Sequence, residues 1–150
     1  MDFIEVRKGA FSVAEEFAAL RRENRGDGAC VMFVGSVRDF NAGAAVRGLK
    51  LEHYPGMTEK SLQDITADAR AHWPLGRVRL LHRVGPLALQ DDIVFVGVTS
   101  PHRQAAFAAC QYIMDRLKTE APFWKQESSE TGDRWVAARE SDKREMEKWG

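Results

Sequence analysis

The sequence predicts a single α/β domain spanning residues 1–150, and three observations carry that expectation. Segments that alternate like strands interleave with segments spaced like helices along the chain. No internal repeat, low-complexity tract or linker divides its 150 residues, a length at which one core can be buried without staples. Hydrophobic residues make up 44% and charged residues 29%, the balance of a folded globular chain rather than a disordered one.

The elements follow in order. Phe3–Arg7 alternates and reads as a first strand. Ser12-Val13-Ala14-Glu15 has capping-box spacing, and Phe17 and Leu20 extend an apolar face, so a helix is expected over about Ser12–Asn24. Gly26-Asp27-Gly28 stops it, and the dense apolar run Ala29–Gly35 reads as a buried strand ending at Ser36-Val37-Arg38. Asp39–Ala45, with Asn41 and Gly43, reads as a mobile loop. Val46, Leu49 and Leu51 mark a strand reaching His53 and Tyr54; Pro55-Gly56-Met57-Thr58 punctuates, and Glu59–His72 is helical by spacing.

Val78–Val84 and Ile93–Thr99 read as two further strands joined by a turn-rich connection over Gly85–Asp92. Ser100-Pro101 has the form of a helix start, serine as cap and proline at the first helical position. The helix beyond it carries Phe107, Cys110, Met114 and Leu117 on one stripe and must stop before Pro122. Phe123–Glu127 and Arg134–Ala138 read as two strands joined through Ser128–Asp133, and the tail Glu140–Lys148 is strongly charged.

Composition narrows the function classes. Lys+Arg and Asp+Glu both number 22, so the basic excess of a general nucleic-acid binder is missing. No basic segment followed by an apolar run opens the chain, and the apolar stretches Cys30–Val34 and Ile93–Val98 are too short to span a bilayer. Cys30 and Cys110 read as buried, reduced thiols, which places the protein in the cytoplasm. Neither lies in a CxxC motif, the histidines at 53, 72, 82 and 102 lack metal-ligand spacing, and no phosphate-binding glycine motif occurs. No metal and no cofactor is expected.

Two regions can carry chemistry. A helix N-terminus attracts anions, yet His102 and Arg103 reverse the usual preference for acidic residues there. Such a local conflict points to an anion site, although both side chains pointing to solvent would also satisfy the pattern. The second region is Lys118 through Lys125, where two lysines bracket Thr-Glu-Ala-Pro-Phe-Trp. A lysine against buried aromatic surface is pushed toward its neutral form and can act as nucleophile or proton carrier; a charged one holds an oxyanion. Plain surface lysines would fit equally well. Arg38 and Arg139, each beyond a strand, add little by themselves.

These residues, together with Leu51–Thr58, Trp73–Val78 and Val94–Val98, resemble in order and over nearly the whole chain the large, catalytic subunit of molybdopterin synthase. The resemblance implies a hammerhead-type α/β fold with an added antiparallel β subdomain, and a homodimer within a heterotetramer. The partner it implies is a small ubiquitin-like sulfur-carrier subunit. Two sulfurs would pass from the carrier's thiocarboxylated C-terminus to cyclic pyranopterin monophosphate, forming the molybdopterin dithiolene. Lys118 and Lys125 match the family's catalytic lysines. His102-Arg103 match its substrate-binding pair, Arg38 and Arg139 match arginines lining the pocket, and Ser36, Val37, Gln126 and Glu127 fall in the flanking stretches. Some members carry a lysine in place of Ser36 and a basic residue in place of Gln126.

Geometry adds one expectation. His102 and Lys118 lie on one helix, roughly 24 Å apart at about 1.5 Å per residue. A pterin-sized ligand does not reach both ends, so the site should be completed by a second subunit.

Overall fold

The computed structural model describes residues 2–38, 40–41, 44–129, 132–136 and 149. The strands are β1 (Asp2–Arg7), β2 (Ala29–Ser36), β3 (Phe40–Asn41), β4 (Ala44–His53), β5 (Val78–Arg83), β6 (Gly85–Ala88), β7 (Asp92–Ser100), β8 (Phe123–Ser129) and β9 (Gly132–Val136). The helices are α1 (Val13–Arg21), α2 (Met57–His72) and α3 (Arg103–Glu120). One sheet has the order β1-β5-β7-β2, parallel only between β1 and β5. The second is antiparallel, in the order β3-β4-β8-β9, with β6 also pairing β4. A helix-covered sheet plus an antiparallel subdomain is the architecture expected from the resemblance.

Side-chain alternation sorts the first sheet's two faces. Val94, Val96 and Val98 of β7, with Val78 and Leu80 of β5, meet Leu62, Ile65 and Ala69 of α2 and Ala109, Ile113 and Leu117 of α3. Their neighbours Leu81 and Phe95 point the other way and close with Leu20 of α1. Burial of each such large side chain stabilises the fold by roughly 1.5–3 kcal/mol. A third cluster, Val37, Leu49, Leu51, Val84 and Leu87, seats the second sheet on the first.

Several expectations needed correction. Ser100 is not the cap of α3: the β2–β7 ladder runs on to pair Ser100 with Ala29, and the Ser100 hydroxyl donates to Pro74 O at 2.7 Å. The cap position falls on His102, and Pro101 lies outside the helix. Gly85–Asp92 is not all turn, because β6 pairs with Gly48–Leu51 of β4. Phe107 stands off the buried stripe of α3 and is 62% exposed. Helix α1 stops at Arg21, where Asn24 Nδ2 donates to Leu20 O at 3.2 Å. Cys30 is half-buried, whereas Cys110 is buried as expected.

Within Asp39–Ala45, Phe40 and Asn41 pair with Ala45 and Ala44 as strands; residues 39, 42 and 43 lie outside the described residues. The last hairpin forms as β8 and β9, its second strand beginning at Gly132 rather than Arg134. The tail 140–148 lies outside the described residues.

Candidate functional site

Helix α3 separates the candidate residues into two groups. Its 18 residues make a rod about 27 Å long at the usual rise. His102 and Arg103 stand exposed at its N-terminal end, and Lys118 stands exposed in its last turn.

At the N-terminal end the strand-to-helix junction is clamped from two sides. Thr99 Oγ1 donates to Asp27 Oδ2 at 2.9 Å and accepts the Arg77 N–H at 2.8 Å. Asn24 Nδ2 also donates to Asp27 Oδ2, at 2.9 Å. Gly76 N–H donates to Thr99 O at 2.8 Å. The loop Trp73–Arg77, visible in sequence only as a block, thus fixes where β7 ends and where His102 and Arg103 begin. His102 has extended backbone and makes no side-chain cap bond, so the cap is not occupied by its imidazole. The arrangement presents helix N–H groups beside two basic side chains, a site suited to an anion.

At the other end, α3 closes against Pro122. Ala121 N–H donates to Leu117 O at 3.3 Å, and Phe123 N–H donates to Ala121 O at 2.9 Å, turning the chain into β8. Lys125 follows in β8, half-buried, with Leu51 opposite it on β4 and Val136 on β9. Gln126 and Glu127 come next in the strand, opposite Lys50 and Leu49. Trp124 is 48% exposed and Lys118 is also exposed. Of the two aromatics between the lysines, Phe123 is half-buried and Trp124 stands out toward solvent.

Two histidines that sequence reasoning passed over lie here. His82 of β5 is buried and stacks on Phe123, with centroids 3.8 Å apart. Burial, chiefly, holds its imidazole down to about 3; Lys118 and His53 lower it further, while a 2.8 Å bond from Nδ1 to Arg83 O opposes them. His82 is thus a neutral ring close to Lys118. His53 lies 3.8 Å from the Glu59 carboxylate.

Of the remaining candidates, Ser36 is exposed and its hydroxyl donates to Asp92 Oδ1 at 3.1 Å. Val37 turns into the core; its N–H donates to Asp91 O and its carbonyl accepts from Gln90 N–H, each at 3.0 Å. Arg38 is exposed beyond β2, and Arg139 lies outside the described residues. The cysteines are unsuited to nucleophilic chemistry: burial pushes the Cys110 thiol up to about 12 and raises that of Cys30, so neither is a ready thiolate. Among the described residues no group of three His, Cys, Asp or Glu is arranged to hold a metal ion. No helix among them is long and apolar enough to cross a membrane.

A mixed sheet and an antiparallel subdomain, with basic residues at both ends of one long helix, define the class as a small two-sheet α/β domain. Comparison with known proteins makes the assignment specific. The family model described as MoaE protein matches residues 6–120. The molybdopterin synthase catalytic subunit of Salmonella typhimurium is 57% identical over 146 residues, covering 97% of each chain. A solved molybdopterin biosynthesis MoaE protein from Burkholderia ambifaria superposes with a TM-score of 0.85 at 47% identity, covering 100% of this chain and 99% of that one. A complex of subunits 1 and 2 of molybdopterin-converting factor from Helicobacter pylori shares the fold, with a TM-score of 0.73, 19% identity and coverage of 91% and 90%. The chain belongs to the MoaE family, that of the molybdopterin synthase catalytic subunit, and is an enzyme of molybdenum cofactor biosynthesis.

Proposed function

We propose that this chain, acting as one catalytic domain over residues 1–150, transfers two sulfurs in succession to cyclic pyranopterin monophosphate, generating the dithiolene of molybdopterin. The donor is the thiocarboxylated C-terminus of a small ubiquitin-like carrier subunit. The relatives' description as a catalytic subunit supports a second kind of chain in the working enzyme. Free Cys30 and Cys110 suit the reducing cytoplasm in which we place it.

The observation that carries the mechanism is the separation of the two cationic groups along α3. Lys118 serves the chemical step as proton carrier or transient covalent partner, and Lys125 binds and polarises the reacting carbonyl. His102 and Arg103, at the opposite end, hold the phosphate, and a helix of this length keeps them from the same chain's lysines. A second copy therefore supplies His102, Arg103 and Arg139 to the site containing Lys118, Lys125 and Arg38. The backbone around Ser36-Val37 and Gln126-Glu127 borders it.

The test is reconstitution: the purified chain, a thiocarboxylated carrier and cyclic pyranopterin monophosphate should yield molybdopterin. Absence of product removes the reading. Near wild-type turnover by Lys118→Ala removes the role of that lysine and leaves the activity standing.

A further inference from the structure

We propose that Thr58 is a positioning residue for the reaction, setting the geometry of the turn that joins Lys118 to Lys125. The inference rests on the reading of those two lysines given above.

Thr58 lies in the first turn of α2 and is 0% exposed. Its hydroxyl is fully directed. It accepts the Tyr54 N–H at 2.9 Å, which leaves its proton for Pro122 O, also at 2.9 Å and 64 positions away in sequence. The segment that holds it is itself closed: Thr58 N–H donates back to Tyr54 O at 2.9 Å, and Gly56 N–H donates to Glu59 Oε1 at 3.0 Å. Gly56 has φ +89°, a conformation that a side chain disfavours. Tyr54–Glu59 is thus a stiff bracket, and Thr58 carries its bond to the turn between the lysines.

That turn needs such a bond. Its neighbouring carbonyls at Leu117 and Ala121 are used within the chain reversal, and Pro122 has no N–H of its own to tie it down. Pro122 lies between the helix end that bears Lys118 and the strand that bears Lys125, so a shift there moves one amine relative to the other. Displacement of a reacting group by about 1 Å is enough to lower a rate a hundredfold. A valine would fill the same space without a polar group, so the hydroxyl is present for its bonds rather than its bulk.

The experiment compares wild type, Thr58→Val, Thr58→Ser and Thr66→Val in the reconstituted synthase assay. Thr66 is a control on the same helix: it is equally buried, but among the described residues its hydroxyl bonds only Leu62 O, at 2.9 Å, within α2. Thr58→Val should lower kcat by about tenfold or more while KM for the pterin substrate changes by less than about threefold. Thr58→Ser should return kcat to within about threefold of wild type, and Thr66→Val should leave it unchanged. The pH profile of kcat should also move in Thr58→Val, because the surroundings of Lys118 change. Wild-type kcat in folded Thr58→Val, or equal impairment of the serine and valine variants, overturns the proposal. If Thr58→Val does not fold, Thr58→Ser decides: retained kcat supports the role and lost kcat in a folded protein refutes it. No product from wild type defeats the reaction assignment instead, which separates the two failures.

Discussion

His82 and Phe123 lie face to face, their centroids 3.8 Å apart and their planes 17° from parallel. The stack joins β5 of the first sheet to the first residue of β8 in the second, just where the chain leaves Lys118 for Lys125. Burial keeps the ring neutral, holding His82 down to about 3 against an ordinary value near 6.5. The unfolded chain therefore takes up a proton that the folded chain refuses. Stability from this residue is complete above about pH 6.5 and is lost as pH falls from there toward 3. Between pH 7.5 and 5.5 the loss should be about 1.4 kcal/mol. Urea unfolding of wild type and His82→Gln at both values checks it; an equal change in the two proteins contradicts the assignment.

Gly76 sits where no side chain fits. A Cβ there would lie 1.7 Å from Asp27 Oδ2 and 2.8 Å from Thr99 Oγ1, and Asp27 cannot swing away without abandoning Asn24 and Thr99. Gly76→Ala should destabilise the fold by about 2–3 kcal/mol through the broken, partly buried network. Because that network also fixes the start of α3, the surviving folded protein should show a raised KM for the phosphate substrate with carrier binding kept. Denaturant titration and steady-state kinetics read the two effects separately.

The elements were largely legible because their signals are local. Alternation in Val78–Arg83 and Asp92–Ser100, and the apolar spacing of α2, mark structure whatever surrounds them. Strand β6 escaped because Gly85-Pro86 reads as a turn, and a proline is tolerated in this short strand, whose described pairing is with β4 alone. Ser100 looked like a helix cap because its neighbour is proline; its hydroxyl goes instead to Pro74, far off in the chain. The same reason hid Thr58 and His82. One reads as an ordinary helix start and the other as one more strand position, and only the approach of Pro122 and Phe123 gives them a role. The lysines, by contrast, stand out in the sequence only as two cations bracketing Phe123 and Trp124, and it is the family resemblance that gives them a role.

Trp149 packs edge-on to Trp73 and Tyr112, with centroids 6.0 and 5.5 Å away, and its indole N–H donates to Asp115. The three rings close over the ends of α2 and the middle of α3. Trp149→Ala removes this edge-to-face cluster and leaves Asp115 without its indole donor, and should cost about 2–3 kcal/mol. In a chain of this size that corresponds to a Tm lower by roughly 5–10 °C. Differential scanning calorimetry measures it, and a shift under about 2 °C would mean the ring is only loosely held.

If two copies complete each site, variants of the two halves should complement one another in a mixed dimer. Lys118→Ala and Arg103→Ala homodimers should each be inactive or nearly so. In a mixed dimer, the lysine of one copy faces the arginine of the other, so one of the two sites carries both wild-type groups and the second carries neither. Random mixing of equal amounts should then restore about a quarter of wild-type turnover, since about half of the dimers are mixed and each has one working site. If Lys118 and Arg103 instead served the same site from a single chain, every site in every dimer would lack one of them, and mixing would restore nothing. The stretch of helix between them, about 22 Å at the usual rise, favours the first outcome.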